Sequence, residues 1–292
     1  MLPTTLARRR HLPLRGGGRV HVVEAGEGPP AVFLHGTNTS ALSWVPLLGH
    51  LGDIRMIAVD RPGRGLSDPA PPSPRAGVRA AAVRFLDDVL TELEIECPTL
   101  VGQSGGGVCA LWYLLAHPER VNGLVLVGST PLLPGTRPPA PLRIAATPVV
   151  GDLLSRLVKP TPKTVVRLLS SVGEGETILQ HPQLLQALVA GGNDPVAADA
   201  DLDELQALIH PFGFRRSMRL RADDLRTIDV PTLLIWGDHD PVGSVAVARA
   251  AAGLIPNAHL EVLDAGHVPQ LGHPNQTADL VSSFVRRAQG QA

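Results

Sequence analysis

Three kinds of side chain in this sequence could together carry out acyl transfer. Ser104 sits in Gly102-Gln103-Ser104-Gly105-Gly106, His267 follows Leu263-Asp264-Ala265-Gly266, and Asp238 and Asp240 flank His239. A serine hydroxyl is a weak nucleophile until a base takes its proton, and an imidazole works best when a carboxylate fixes its tautomer. A G-x-S-x-G pentapeptide alone is a weak signal that any glycine-rich turn satisfies, so the elements that position these residues decide its meaning.

Residues 98–101 read as a short buried strand and 108–116 as an apolar helix, which places Ser104 at a strand-to-helix corner. Such a corner holds its central residue in a strained backbone conformation with no room for side chains two positions away, where this chain has Gly102 and Gly106. The helix beyond aims its free N–H groups at the same point, which favours an oxyanion there. His267 comes just after the strand at 259–263, at the same sheet edge as Ser104. His259 begins that strand and points to the other end, while His273 opens the last helix as a capping or surface residue. Asp238 and Asp240 follow the strand at 232–236 and are both at the correct edge. A metal site built from Asp238, His239 and Asp240 is disfavoured, because adjacent residues of an extended loop point apart. Neither metal nor organic cofactor is expected.

Composition narrows the function classes. The chain of 292 residues is 44% hydrophobic, ample for a core, and 26 Lys and Arg against 27 Asp and Glu leave a net charge of −1. No long-range field draws it to nucleic acid or to an anionic surface, so a small, uncharged partner is expected. Cys97 and Cys109 are expected to be buried reduced thiols rather than a disulfide framework. Arg8, Arg9, Arg10, Arg15 and Arg19 read as a solvated tail that lacks the apolar stretch of a signal peptide. No run reaches the ~18 apolar residues of a membrane span. A cytoplasmic protein without integral membrane association is expected, and the sequence leaves the oligomeric state open.

In order, the chain alternates strand and helix signals: a hairpin around Gly16-Gly17-Gly18, strands at 31–34, 54–59, 98–101 and 121–127, and helices at 44–51 and 78–93. This alternation calls for a parallel sheet with helices on both faces and a ligand crevice at the carboxyl ends of the strands. Between 133 and 222 no strand is expected; helices at 149–158, 163–172, 182–190, 199–209 and 214–225 form an insertion. The sheet then resumes, with a helix at 244–254 and a last one at 275–287. The domain division is 1–132, 133–222 and 223–292.

The order Ser, acid, His resembles that of the α/β-hydrolase superfamily, and the match runs from about residue 11 to 287 outside the insertion. His35-Gly36-Thr37 is similar to that family's loop supplying an oxyanion-hole N–H, and Asp60-Arg61-Pro62-Gly63-Arg64-Gly65-Leu66-Ser67 to its structural loop after the next strand. The insertion corresponds in place to the family's helical cap. The resemblance implies an α/β-hydrolase fold: a mostly parallel sheet, helices on both faces, and a cap inserted after the strand ending near Ser129. It implies Ser104 as nucleophile, His267 as base, Asp240 rather than Asp238 as the acid, and the backbones of Thr37 and Gly105 as oxyanion hole. The implied reaction is hydrolysis of a small to medium, uncharged carboxylic ester with apolar groups through an acyl-enzyme. The same triad also serves lactones, amides, carbon–carbon bonds of diketones or perhydrolysis, and the fold also serves as a small-molecule receptor. Where relatives often carry Met or Leu after the nucleophile, this chain has Gly105, which is expected to widen the pocket; a Ser nucleophile argues against epoxide opening and dehalogenation.

Overall fold

The computed structural model describes residues 7–51, 53–69 and 77–290. The short apolar runs become an eight-stranded sheet in the order β1-β2-β4-β3-β5-β6-β9-β10. Its strands are β1 (Arg8–Pro13), β2 (Arg19–Ala25), β3 (Pro30–Leu34), β4 (Arg55–Val59), β5 (Thr99–Gln103), β6 (Gly123–Val127), β9 (Thr232–Gly237) and β10 (Ala258–Leu263). The pairs β1–β2 and β2–β4 are antiparallel, and all the others are parallel.

Strand periodicity explains why the central runs are apolar throughout. In β3, Val32 and Leu34 join the core under helices α1 (Val78–Glu92), α2 (Gly105–Ala116) and α10 (Val245–Ala252). Ala31 and Phe33 point the other way, into the core with Trp44 and Leu47 of a 3₁₀ segment (Ala41–Leu47) and Val281 and Val285 of α12 (Pro274–Gln289). Both faces of the sheet are therefore buried, as βαβ connections require.

Between β6 and β9 the chain leaves the sheet to form α3 (Ala140–Ala145), α4 (Val150–Leu157), α5 (Pro162–Ser170), α6 (Gly175–Leu179), α7 (Pro182–Asn193), α8 (Pro195–Leu208), the two-residue strands β7 (Ile209–His210) and β8 (Gly213–Phe214), and α9 (Ala222–Arg226). The short α11 (Pro269–Gly272) completes the set. The predicted helices at 149–158, 163–172, 182–190 and 199–209 correspond to α4, α5, α7 and α8.

Five local expectations are corrected. Strands β7 and β8 lie within 133–222, where no strand is expected. The helix expected at 214–225 is confined to α9 from Ala222 on, because Gly213 and Phe214 pair with His210 and Ile209, Arg215 N–H donates to Leu208 O, and Leu220 N–H donates to Leu132 O. Tertiary hydrogen bonds there override the helical spacing of Phe214, Met218 and Leu225. The helix expected at 44–51 is the tighter segment Ala41–Leu47, interrupted by Pro46. The arginines are not a free tail: residues 1–6 lie outside the described residues, but Arg8, Arg9 and Arg10 belong to β1, where Arg10 Nε donates to Glu24 Oε1 at 2.6 Å. Charge on that edge strand discourages pairing with another chain. Of the two cysteines, Cys109 is buried and Cys97 is exposed. Among the described residues, no helix is long and apolar enough to cross a membrane.

Candidate active site

Ser104 joins β5 to α2 with φ 50° and ψ −117°, a conformation that costs a residue with a Cβ on the order of 1–3 kcal/mol and persists only where the surroundings enforce it. The enforcement is steric. A Cβ on Gly102 would come within 2.5 Å of Gly107 Cα, and one on Gly106 would overlap the carbonyls of Leu34 and His35. The corner packs its backbone against β3 and leaves the serine side chain at the carboxyl end of the sheet.

His267 comes to that side chain from the loop after β10. Its Nε2 accepts from Ser104 Oγ at 2.9 Å, and its Nδ1 lies 2.8 Å from Asp240 Oδ2. A carboxylate can only accept, so Nδ1 carries the proton and Nε2 keeps its lone pair for the serine hydroxyl. Asp240, on the loop after β9, also accepts from the N–H groups of Ser129 (2.8 Å) and Val242 (2.9 Å). Burial pushes its carboxyl up, but His267 and these bonds outweigh that and hold it below the usual range. Ser129 Oγ sits 3.2 Å from His267 Nδ1, a second acceptor for the same proton.

The His267 loop is braced on both sides. Gln103 Nε2 donates to His267 O, while His267 N–H donates to Val172 O and Val268 N–H donates to Glu174 Oε1. Burial raises the Glu174 carboxyl. The insertion thus touches the backbone of the histidine as well as covering the sheet edge.

The other candidates fall elsewhere. Asp238 Oδ1 accepts from Ala265 N–H, which shapes the histidine loop without reaching the imidazole. His259 is exposed beside Glu261, and His273 Nε2 donates to Asp264 O at the start of α12. Asp238, His239 and Asp240 do not converge, because Asp240 is buried against His267; His239 instead meets Asp238 and Asp264, all three exposed.

On the opposite side of Ser104, His35 Nδ1–H donates to Gly36 O (2.8 Å) and its Nε2 accepts from Arg61 N–H (2.9 Å). Burial, and then the charge of Arg61, pulls this imidazole down to about 3, so it is a neutral clip between two loops. Thr37 follows, directly beside Gly105: a Cβ on Gly105 would lie 2.8 Å from Thr37 Oγ1 and 3.0 Å from Glu204 Oε1. The space that the missing side chain was expected to open is therefore filled, partly by a carboxylate from α8.

That carboxylate belongs to a buried cluster of four charges. Arg61 Nη1 and Nη2 donate to Glu204 Oε1 (2.8 Å) and Oε2 (3.2 Å), Arg64 Nη2 donates to Glu204 Oε2 (2.5 Å), and Arg64 Nε donates to Asp201 Oδ1 (2.6 Å). Burial raises Glu204, yet the two guanidinium groups overcome it and hold the carboxyl at about 2. Burial pushes Asp201 up, against the pull of Arg64. The loop of Arg61 and Arg64 thus does more than turn the chain: it grips the insertion beside Ser104.

A protein-family model described as the alpha/beta hydrolase family matches residues 31–280. The chain belongs to this family. Among similar proteins, an uncharacterised protein of Mycobacterium tuberculosis is 30% identical over 269 residues, covering 89% of this hydrolase and 76% of the relative. A 2-hydroxy-6-oxononadienedioate/2-hydroxy-6-oxononatrienedioate hydrolase of Cupriavidus pinatubonensis is 29% identical over 287 residues, covering 91% and 90%. The crystal structure of a carboxylesterase from Bacillus subtilis superposes with a TM-score of 0.70 at 23% identity over 97% of this chain and 92% of that one.

Sequence reasoning on this hydrolase passed over Ser129, Gln103, Glu174 and Glu204. Only Ser129 carried a usable signal, as a polar residue ending a strand that reads apolar throughout. Glu204 is one acid among several on α8, and only the packing of that helix against Arg61 and Arg64 sets it apart.

Proposed function

We propose that this α/β-hydrolase is a serine hydrolase cleaving carboxylic esters, with Ser104 as nucleophile, His267 as general base and Asp240 as the group that orients it. The unbroken hydrogen-bond chain from Ser104 Oγ through His267 to Asp240 carries the reading. As Ser104 Oγ attacks the ester carbonyl, its proton passes to His267 Nε2, and Asp240 stabilises the imidazolium through Nδ1–H. The tetrahedral oxyanion is received by the backbone N–H groups of Thr37 and Gly105, the latter at the N-terminus of α2. Nε2–H then protonates the leaving alcohol, and water attacks the acyl-enzyme along the same route. No step needs a metal or a cofactor.

The substrate proposed is a small to medium, uncharged ester with apolar groups, received between a core of 1–132 and 223–292 and a cap of 133–222. Support comes from the balance of charge near Ser104: Arg61 and Arg64 are already paired with Glu204 and Asp201 and so are not free to hold an anionic substrate. A cytoplasmic location belongs to the same proposal, since free Cys97 and Cys109 suit a reducing compartment.

The test is steady-state hydrolysis of a p-nitrophenyl series. kcat/KM should rise from acetate toward medium chains by about fourfold per methylene, the equivalent of ~0.8 kcal/mol, and then fall. Monoesters of dicarboxylic acids should be poor substrates. A second reading keeps the triad but cleaves a carboxylate-bearing ketone, supported by the 29% identity to the Cupriavidus hydrolase and by two arginines that displacement of Glu204 would release. A preference for anionic substrates over the neutral series would select it.

A further inference from the structure

Helix α4 is built inside out. Val149, Val150, Leu153, Leu154, Leu157 and Val158 recur at helical spacing along Val150–Leu157 and its two flanking residues, and all six are exposed, Val149 to 75% and Leu157 to 70%. A surface helix ordinarily turns such a stripe toward the core. Here the side that packs is small and polar. Gly151 is buried, where a Cβ would lie 2.0 Å from Ala145 O at the end of α3 and 3.0 Å from Leu202 Cδ1 of α8, and Asp152 Oδ1 accepts from Gln206 Nε2 of α8. The apolar stripe is thus fixed outward by specific contacts on the opposite side.

Charge around the stripe identifies what covers it. From 133 to 173 the sequence holds six Arg and Lys and a single acid, Asp152, while the whole chain is close to neutral. Lys159 directly follows the stripe, Lys163 comes four residues later at the start of α5, and both are exposed. A twofold contact between copies sets a patch against itself, which would bring these cations together with almost nothing to offset them. An anionic lipid surface meets both features at once, taking the Leu and Val side chains at its acyl boundary and the lysines at its head groups.

We propose that the α3–α4 segment is a peripheral docking surface for anionic lipid. Because α4 rests on α8, which carries Asp201 and Glu204 to the core loop beside Ser104, docking sets the cap's outer helix on the bilayer directly above the helix that closes the site. The proposal does not depend on which ester is cleaved, since its readout is binding.

The experiment is co-sedimentation of the full chain with phosphatidylcholine vesicles, with and without about 30% phosphatidylglycerol, at low and high potassium chloride. Binding should be at least about tenfold stronger to the anionic vesicles and fall with salt. Leu153→Glu with Leu157→Glu should weaken it by about tenfold or more while hydrolysis of a water-soluble short-chain ester stays within about twofold. Lys159→Glu with Lys163→Glu should remove the preference for anionic vesicles, with an unchanged melting temperature showing that each variant is folded. No association with either vesicle, equal binding by wild type and the Leu variant, or a dimer in light scattering that the Leu variant splits would each overturn the proposal, the last by showing a second copy on this face.

Discussion

Two buried polar assemblies flank Ser104, and they differ in where their parts come from. Ser104, His267 and Asp240 stand on loops at the carboxyl ends of β5, β10 and β9, neighbouring strands of one sheet apart from the intervening β6, whose end supplies Ser129. Arg61 and Arg64 come from the sheet as well, but Asp201 and Glu204 come from α8 of the insertion. The first assembly draws all its side chains from the core and only backbone bracing from the insertion; the second takes half of its charges from the insertion. The molecule thus separates its proposed chemistry, built into the core, from the closure of the site, built across a seam.

Substitutions should separate the two in the same order. Ser104→Ala should lower kcat on the order of 10⁶-fold with no change in melting temperature, and His267→Ala should match it, because groups that act as one unit are not additive. Retained activity above about a hundredth of wild type would end the assignment. Asp240→Asn should cost about 10⁴-fold in kcat, by leaving the imidazole in the wrong tautomer, while Asp238→Asn costs far less. Equal losses at the two positions would mean that Asp240 does not orient the base.

Across the seam the readout should move to stability. Glu204→Leu strands the buried guanidinium of Arg61 and leaves Arg64 with Asp201 alone, and breaking a buried pair costs about 3–5 kcal/mol, seen as a lower melting temperature and faster proteolysis of the insertion. Unchanged values for both would show that the cluster does not hold the cap. Its pH dependence follows from the depressed carboxyl. A group held at about 2 against an ordinary 4.5 contributes stability that is fully present above about pH 4.5 and is lost as the pH falls toward 2. Asp201, raised by burial, acts in the opposite sense, but Glu24, Asp60 and Asp240 are also held low, so Glu204→Gln should flatten the acid limb of wild type and not erase it. The smallest effect belongs to Ser129→Ala, which keeps the N–H to Asp240 and loses only Oγ. One neutral hydrogen bond is worth about 1 kcal/mol, so kcat should fall by no more than about tenfold.

The sheet and the convergence of Ser104, His267 and Asp240 were legible because each rests on local pattern. Apolar runs of strand length, a serine between Gly102 and Gly106, and His267 after the final strand are signals contained in a few consecutive residues. The cluster across the seam was not legible, since Arg61 and Glu204 lie 143 residues apart and nothing near either residue names the other. The same gap misled the reading of Gly105, where a missing side chain suggested space although Thr37 and Glu204 fill it. Residues 214–225 failed for a related reason, as their conformation is set by hydrogen bonds to Leu208 and Leu132 and not by their own periodicity.

The placement of the insertion also governs how the chain emerges from the ribosome. Leu124–Val127 of β6 pair with Thr232–Ile235 of β9, so roughly a hundred residues must be synthesised before β6 gains that neighbour, on the order of 5–20 s at ~5–20 residues per second. During that interval β5 and β6 form the growing margin of a half-built sheet whose apolar edge is open to pairing with any other nascent strand. Helices α3 to α9 of the insertion are all synthesised within that interval, before β9 and β10 can extend the sheet. The length of the insertion thus sets how long the edge of β6 stays open during synthesis.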